Sequence, residues 1–284
     1  MSWTTEYAFS QFYDAINLPG DHHTAANARK DWIVSRLKAG GLNVIDAFSM
    51  GSIPRYTALR QHADLDVMVA LHYGQHIKDR TPAQVLSITK TALGAGAGAI
   101  RRNGQAITIK FQTWPNVDVV PAKRMVSDTG AVTGYQIPDM NRGLWLPTNP
   151  PLHSRQISDA ASTRGPRFRQ AVKMIKHWNR RQDVRLQSYH IEVIALNMSA
   201  NWQNLSWPLL QWFEAAQPAV HSCWHAGADV SSYLDYSRAA RAATQLASAR
   251  ETASAAWYAA TKGDHRRAIT LWKSVFGQEF PSYG

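Results

Sequence analysis

Two acids sit inside an apolar run: Asp64 and Asp66, in the stretch DLDVMVAL that covers residues 64–71. Leu65, Val67, Met68 and Val69 around them favour a covered β-strand. Alternate residues of a strand share a face, so both carboxylates point the same way. Two like charges about 4 Å apart repel by roughly 4 kcal/mol at an effective dielectric near 20. A fold that keeps this pair needs something to neutralise it. A third acid, Asp118, lies in NVDVVPA, again within a β-branched run. Three strand carboxylates would raise each other's pKa. Divalent cations would neutralise them, and such a site activates a hydroxyl nucleophile and supports a leaving pyrophosphate.

The rest of the chain constrains where these strands belong. With 284 residues, 45% of them hydrophobic, it is long enough for one large domain or two lobes around a substantial core. A helix is expected over HHTAANARKDWIVSRLKAG, capped by Asp21, with Ala26, Ile33, Val34 and Leu37 as its apolar stripe and Gly40-Gly41 as its end. Four β-rich segments follow, LNVIDAFSM, LDVMVAL, GQAITIKFQ and NVDVVPAKR, with a helix begun by Thr81 and Pro82 between the second and third. DTGAVTGYQIPDMNRGLWLPTNPPLH, rich in Gly, Pro and Asn, reads as a loop or lid. From Gly165 onward the pattern is helical, ending in two or three further helices after residue 231. The expected fold class is α+β: a catalytic lobe with a mixed sheet and flanking helices over residues 1–135, and a lid loop with a helical lobe over 136–284, with an active-site cleft between them.

Charge and composition narrow the partners. Lys and Arg number 31 against 20 acids, a net charge of +11, which favours polyanions, either nucleoside triphosphates or nucleic acid. No apolar run approaches the eighteen or so residues of a membrane span, and the N-terminus has neither a basic leader nor an apolar signal core. The single cysteine, Cys223, forms no internal disulfide, so a cytoplasmic location is expected. His221, Cys223 and His225 in HSCWH offer at most three zinc ligands at tight spacing, too few for a structural zinc site.

A lone D-x-D is common, and one acid in VDVV is more often an edge or turn residue. The combination is far more specific. Gly51-Ser52 is followed by eleven residues, then Asp64-Leu65-Asp66, then the later strand carrying Asp118. It resembles the polymerase-beta-like nucleotidyltransferase superfamily. Within it, MGSIPRYTALRQHADLDVMV, VDVVPA, MIKHWN…LQSYHIEVIAL and WKSVFGQEFP resemble the branch of cyclic GMP-AMP synthase, oligoadenylate synthase and the bacterial cyclic-oligonucleotide synthases of anti-phage defence. The resemblance spans residues 49–280.

The resemblance implies a polymerase-beta-like nucleotidyltransferase lobe plus a helical lobe, and an enzyme that joins nucleoside triphosphates into a cyclic di- or trinucleotide second messenger. It implies two Mg²⁺ ions, with Mn²⁺ as substitute, held by Asp64, Asp66 and Asp118, the last also helping to deprotonate the attacking hydroxyl. It assigns Gly51, Ser52, Lys176 and Ser188 to the triphosphate and Tyr189 to stacking on the donor base. A lysine is a point charge suited to phosphate, and an aromatic face suits a base. Asn149 carries the donor and acceptor needed to read a base edge, although Asn-Pro is also a turn former. Trp178 reads as core, Thr57 as a pin for the Gly-Ser loop, and Glu192 as a structural partner of Arg180 or Arg181. A downstream effector of the messenger and conjugation of the tail at Gly284 by ubiquitin-transfer-like proteins are further implied partners. The DNA-sensing zinc insertion of the animal synthase is absent, which leaves nucleic-acid activation open. The rival readings are a linear oligoadenylate synthase or RNA-tailing enzyme, and a non-catalytic nucleotide-binding relative.

Overall fold

A computed structural model describes residues 3–20 and 22–284. Its helices and strands fall into two compact units, one of Pro19–Tyr56 and His62–Arg155, the other of Met1–Leu18, Thr57–Gln61 and Gln156–Gly284. In chain order the first elements are α1 (Thr5–Ile16), α2 (His22–Ala39), β1 (Val44–Met50), β2 (Leu65–Leu71) and α3 (Pro82–Leu93). Then come β3 (Ala97–Ile100), β4 (Ile107–Ile109), β5 (Val117–Val126), β6 (Val132–Asp139) and β7 (Leu144–Thr148). The C-terminal elements are α4 (Pro150–Arg164), α5 (Arg167–Arg181), α6 (Ser188–Asn197), α7 (Ser206–Ala219), the short β8 (Trp224–His225) and β9 (Ala228–Asp229), α8 (Tyr236–Thr261) and α9 (His265–Phe276).

The first unit is a mixed sheet in the order β1-β2-β5-β4-β3. β2 runs parallel to β5 while β1 and β4 are antiparallel to their neighbours. Both β2 and the first half of β5 are central strands, which explains their near-continuous Leu, Val and Met content. Burial bears this out: Leu65, Val67, Met68, Val69, Val117 and Val119 are all fully buried. The second half of β5 leaves its first partners and pairs with β6, which pairs with β7. α3 starts as the sequence indicates, with a capping box between Thr81 and Gln84, and ends at Gly94. α2 ends at Gly40 and Gly41, and Ala26, Ile33 and Leu37 are its buried residues. The expected cap, Asp21, lies outside the described residues.

The segment 128–153 is not an irregular lid. It forms β6, β7 and the start of α4. The Gly, Asn and Pro residues that suggested a loop serve the turns. Gly130 and Gly143 take positive φ, Asp139 Oδ1 accepts the backbone N–H groups of Asn141 and Arg142, and Pro147 stands on the edge strand β7 where no ladder partner is missed. The domain boundaries shift accordingly. Residues 136–155 belong with the sheet rather than with the helices, because β6 and β7 extend it. α1 belongs with the helices rather than with the sheet.

The second unit is helical. Phe9 and Phe12 of α1 are fully buried against aromatic residues at the C-terminal end: Phe9 meets Trp272 and Phe280 edge-on at 5.2 Å, and Phe12 lies 4.8 Å from Phe276. Burying two such side chains is worth several kcal/mol, which holds α1 in place. Trp178 is a core residue, packed edge-on against Phe213 at 4.9 Å. The tail after residue 231 forms two helices, α8 and α9, each N-capped by an aspartate, Asp235 and Asp264. No described helix is long and apolar enough to cross a membrane.

Candidate active site

The parallel register of β2 and β5 sets Asp66 directly beside Asp118. Asp118 is buried, and its two oxygens are engaged separately: Oδ1 accepts the Thr108 hydroxyl at 2.6 Å, and Oδ2 is ion-paired with Arg101. Thr108 reaches it because β4 pairs with β5 so that Thr108 stands opposite Asp118. Arg101 follows β3 and starts the turn of the β3–β4 hairpin, donating its N–H to the Ala106 carbonyl at 2.8 Å. Asp66 has its pKa pushed up to about 7, first by burial and then by the Asp118 charge, with Asp64 adding to it and Arg55 and Arg101 opposing it. The repulsion read from the sequence is therefore present, and Asp118 is its larger source.

Gly51 completes this corner. Its φ is +78°, and a Cβ built on it would stand 2.0 Å from Asp66 Oδ2. Both the backbone conformation and the space demand glycine. Gly51→Ala is expected to displace the Asp66 carboxylate and lower turnover by about a hundredfold or more, since angstrom-scale misplacement costs that much. Steady-state pyrophosphate release checks it, and a rate within about threefold of wild type would contradict the packing. Ser52 follows in the same turn.

The donor set fits hard divalent cations: carboxylate oxygens in register on adjacent strands, that of Asp118 ion-paired with Arg101 and that of Asp66 with its pKa raised to about 7 by burial and by Asp118. Among the described residues, no three His, Cys, Asp or Glu groups stand together as a preformed metal cage. Asp66 and Asp118 form the pair. Asp64 is exposed and precedes the first residue of β2 rather than alternating with Asp66 inside it.

In the helical unit, Lys176 of α5 is buried and ion-paired with Glu192 of α6 at 2.7 Å. Its Nζ also donates to the Thr57 hydroxyl at 2.9 Å and carbonyl at 3.3 Å, and the Thr57 hydroxyl donates to Glu192 at 2.7 Å. Glu192 therefore has Lys176 as a buried partner. Lys176 faces the buried side of α5, while Arg180 and Arg181 have exposed side chains. Thr57 is pinned by this pair, one residue after the segment carrying Gly51 and Ser52. Ser188 and Tyr189 form the first turn of α6, both exposed, one helical turn before Glu192. The backbone entering this turn is held by Tyr233, whose hydroxyl accepts the Gln187 N–H at 2.9 Å and meets His190 Nδ1 at 3.1 Å.

Asn149 has a capping role where base reading was expected. Its amide N–H is donated to the Thr133 carbonyl at 3.2 Å, and its Oδ1 accepts the Leu152 N–H at 3.2 Å at the start of α4. HSCWH forms a hairpin whose turn is Ala226-Gly227, both at positive φ. His225 there contacts Gln156 at 3.0 Å and meets Tyr189 edge-on at 6.3 Å.

Sequence reasoning missed Arg101 and Thr108. Nothing in their local patterns marks them, because each depends on which strand or loop meets Asp66 or Asp118. It also passed over Lys173, a turn before Lys176, which is buried, bonded to the Asn17 side chain, and has its pKa lowered to about 8 by burial and then by the Lys176 charge.

Comparison with known proteins agrees with this architecture. Residues 1–160 match the family model described as the Second Messenger Oligonucleotide or Dinucleotide Synthetase domain. A cyclic AMP-AMP-AMP synthase of an Acinetobacter species is 28% identical over 262 residues, covering 84% of this chain and 73% of that protein. Among solved structures, Escherichia coli CdnC with ATP superposes with a TM-score of 0.78 at 19% identity, covering 98% of this chain and 99% of that one. The Vibrio cholerae DncV cyclic AMP-GMP synthase superposes with a TM-score of 0.62 at 13% identity, covering 98% and 88% of the two chains. The fold is thus that of these nucleotidyltransferases. With more than half of its length matched by one family model, the chain belongs to the Second Messenger Oligonucleotide or Dinucleotide Synthetase family and is a nucleotidyltransferase.

Proposed function

We propose that this enzyme joins nucleoside triphosphates, ATP among them, into a cyclic di- or trinucleotide that serves as a second messenger in anti-phage signalling, releasing pyrophosphate at each step. The observation that carries this reading is the Asp66–Asp118 pair held in register beside Gly51, in a chain of this family. Asp64, Asp66 and Asp118 would hold two Mg²⁺ ions, which supply hydroxyl activation and charge stabilisation of the leaving pyrophosphate when bound.

The chain's own groups divide the remaining work. Asp118 helps to take the proton of the attacking hydroxyl, and Asp66 beside it completes the pair of carboxylates. Arg101 and Thr108 fix the Asp118 carboxylate so that it does not rotate. The Gly51-Ser52 turn approaches the phosphates through its backbone, which a side chain at 51 would block. In the helical unit, Ser188 and the first-turn N–H groups of α6 suit phosphate oxygens, and the exposed Tyr189 ring suits a base. Lys176 lends its charge from within its pair with Glu192. Asn149 keeps its place beside the acceptor in this proposal as a cap that shapes the β7–α4 turn. The finer partners, an effector that receives the messenger and conjugation at Gly284, belong to the same proposal.

The decisive experiment is mass spectrometry of the product made from all four triphosphates with Mg²⁺. A phosphatase-resistant cyclic di- or trinucleotide formed without added RNA is expected. A linear, phosphatase-sensitive product, or a requirement for RNA, would overturn the cyclase reading in favour of an oligoadenylate-synthase or tailing activity.

A further inference from the structure

Asp64 lies just outside the strand ladder. The ladder between β2 and β5 begins at Leu65, whose N–H is donated to the Asn116 carbonyl at 2.9 Å. An exposed acid in that position takes its direction from the backbone before it. That backbone is tied down: Trp114 donates its indole N–H to the carbonyl of Ala63 at 2.8 Å. Trp114 is 41% exposed, so core burial alone does not account for so large a side chain at this place.

The loop bearing Trp114 is itself gripped from α2. The Arg29 guanidinium lies 3.9 Å above the Phe111 ring and donates to the Thr113 carbonyl and hydroxyl at 3.0 and 2.7 Å. Trp32 meets Phe111 edge-on at 5.2 Å, and the His22 ring meets the Trp114 indole at 4.9 Å. Asn116 closes the loop on itself by accepting the Phe111 N–H at 3.1 Å. One face of α2 therefore supports the loop, and the loop passes a single directed hydrogen bond to the residue before Asp64.

We infer that Trp114 is a positioning residue for Asp64, fixing the backbone from which that carboxylate is presented, with Arg29 as its support on α2. The inference rests on the reading of Asp64 as a metal ligand. Groups that orient metal ligands typically change metal affinity by about tenfold or more when removed.

Trp114→Phe keeps an aromatic ring, though a smaller one, and deletes the donor. Amide hydrogen exchange in a peptide covering residues 61–66 is expected to quicken by about tenfold, with residues 117–122 unchanged. The Mg²⁺ concentration for half-maximal rate is expected to rise by about tenfold, with kcat at saturating Mg²⁺ within about twofold of wild type. Arg29→Gln, which leaves Trp114 intact, is expected to give the same pattern at about threefold, and it serves if Trp114→Phe folds poorly. Mn²⁺ affinity measured by electron paramagnetic resonance should fall in Asp64→Ala, with no further fall when Trp114→Phe is added.

Unchanged exchange at 61–66, or a uniform loss of kcat with unaltered Mg²⁺ dependence, overturns the inference. If Asp64→Ala weakens Mn²⁺ binding and neither Trp114→Phe nor Arg29→Gln does, the ligand role of Asp64 stands and the positioning role falls. If Asp64→Ala leaves Mn²⁺ affinity at the wild-type value, the ligand reading fails and the inference with it.

Discussion

Asp66→Asn is expected to cut product formation by at least about a hundredfold and, in metal-free protein, to raise the melting temperature at pH 8 while leaving it unchanged near pH 4. The two effects come from one cause. The Asp66 pKa is raised from the ordinary carboxylate range to about 7 by burial and by the neighbouring Asp118 charge. A group whose folded pKa is raised favours the protonated form in the folded state. Its contribution to stability is complete below the unfolded value near 4 and is lost as the pH climbs through 7. At pH 8 the wild-type protein carries a charge that its surroundings disfavour. The amide carries none, so the variant keeps the stability that the wild type has lost. A gain of about 1 kcal/mol corresponds to roughly 2–4 °C in a protein of this size. Thermal melts in chelator at the two pH values, beside pyrophosphate release with Mg²⁺, check both halves. Equal melting temperatures at pH 8 would mean that Asp66 is already relieved of the Asp118 charge without a cation. The same linkage makes divalent-ion affinity rise with pH up to about 7, because binding must displace the Asp66 proton.

Lys176→Met is expected to destabilise the protein by roughly 3–5 kcal/mol, since it breaks a buried ion pair by removing one partner. Urea denaturation reads this directly. Lys176→Met/Glu192→Leu removes both charges and is expected to recover most of the loss, as apolar replacement of a buried pair often does. Activity separates two roles that stability cannot. With nucleotide held by the Lys176 charge, the double variant stays folded yet needs at least about tenfold more triphosphate for half-maximal rate. Full recovery of the nucleotide KM in the double variant would confine Lys176 to pinning Thr57. Thr57→Val, which deletes the hydroxyl shared by both partners, is the milder probe. It is expected to cost about 1–3 kcal/mol through the unsatisfied buried groups.

Much of the fold was legible because its signals are local. The Thr81 capping box, the glycine stops at 40–41 and 94, and the apolar runs of β2 and β5 each depend on residues a few positions apart. The sheet's extension through β6 and β7 was not legible. Its turns use the same Gly, Asn and Pro residues as an irregular loop, and only pairing with the far half of β5 makes it regular. The membership of α1 was hidden for a similar reason. Phe9 and Phe12 mark an apolar face, but the aromatic residues that cover it lie more than 250 positions away.

By itself, the sequence determined that Asp66 and Asp118 stand on apolar strands, with Asp64 close by, and that a glycine and a serine precede them at a set spacing, because strand periodicity and residue type carry that information. Tertiary structure alone decided what each acid meets. The register of β2 on β5 brings Asp118 beside Asp66 and makes it the main neighbouring charge. The register of β4 brings Thr108 to Asp118, and the β3–β4 hairpin brings Arg101. The loop that ends in Asn116 brings Trp114 to the residue before Asp64. A pKa depends on distance and burial, and no spacing along a chain encodes either until the strands have paired.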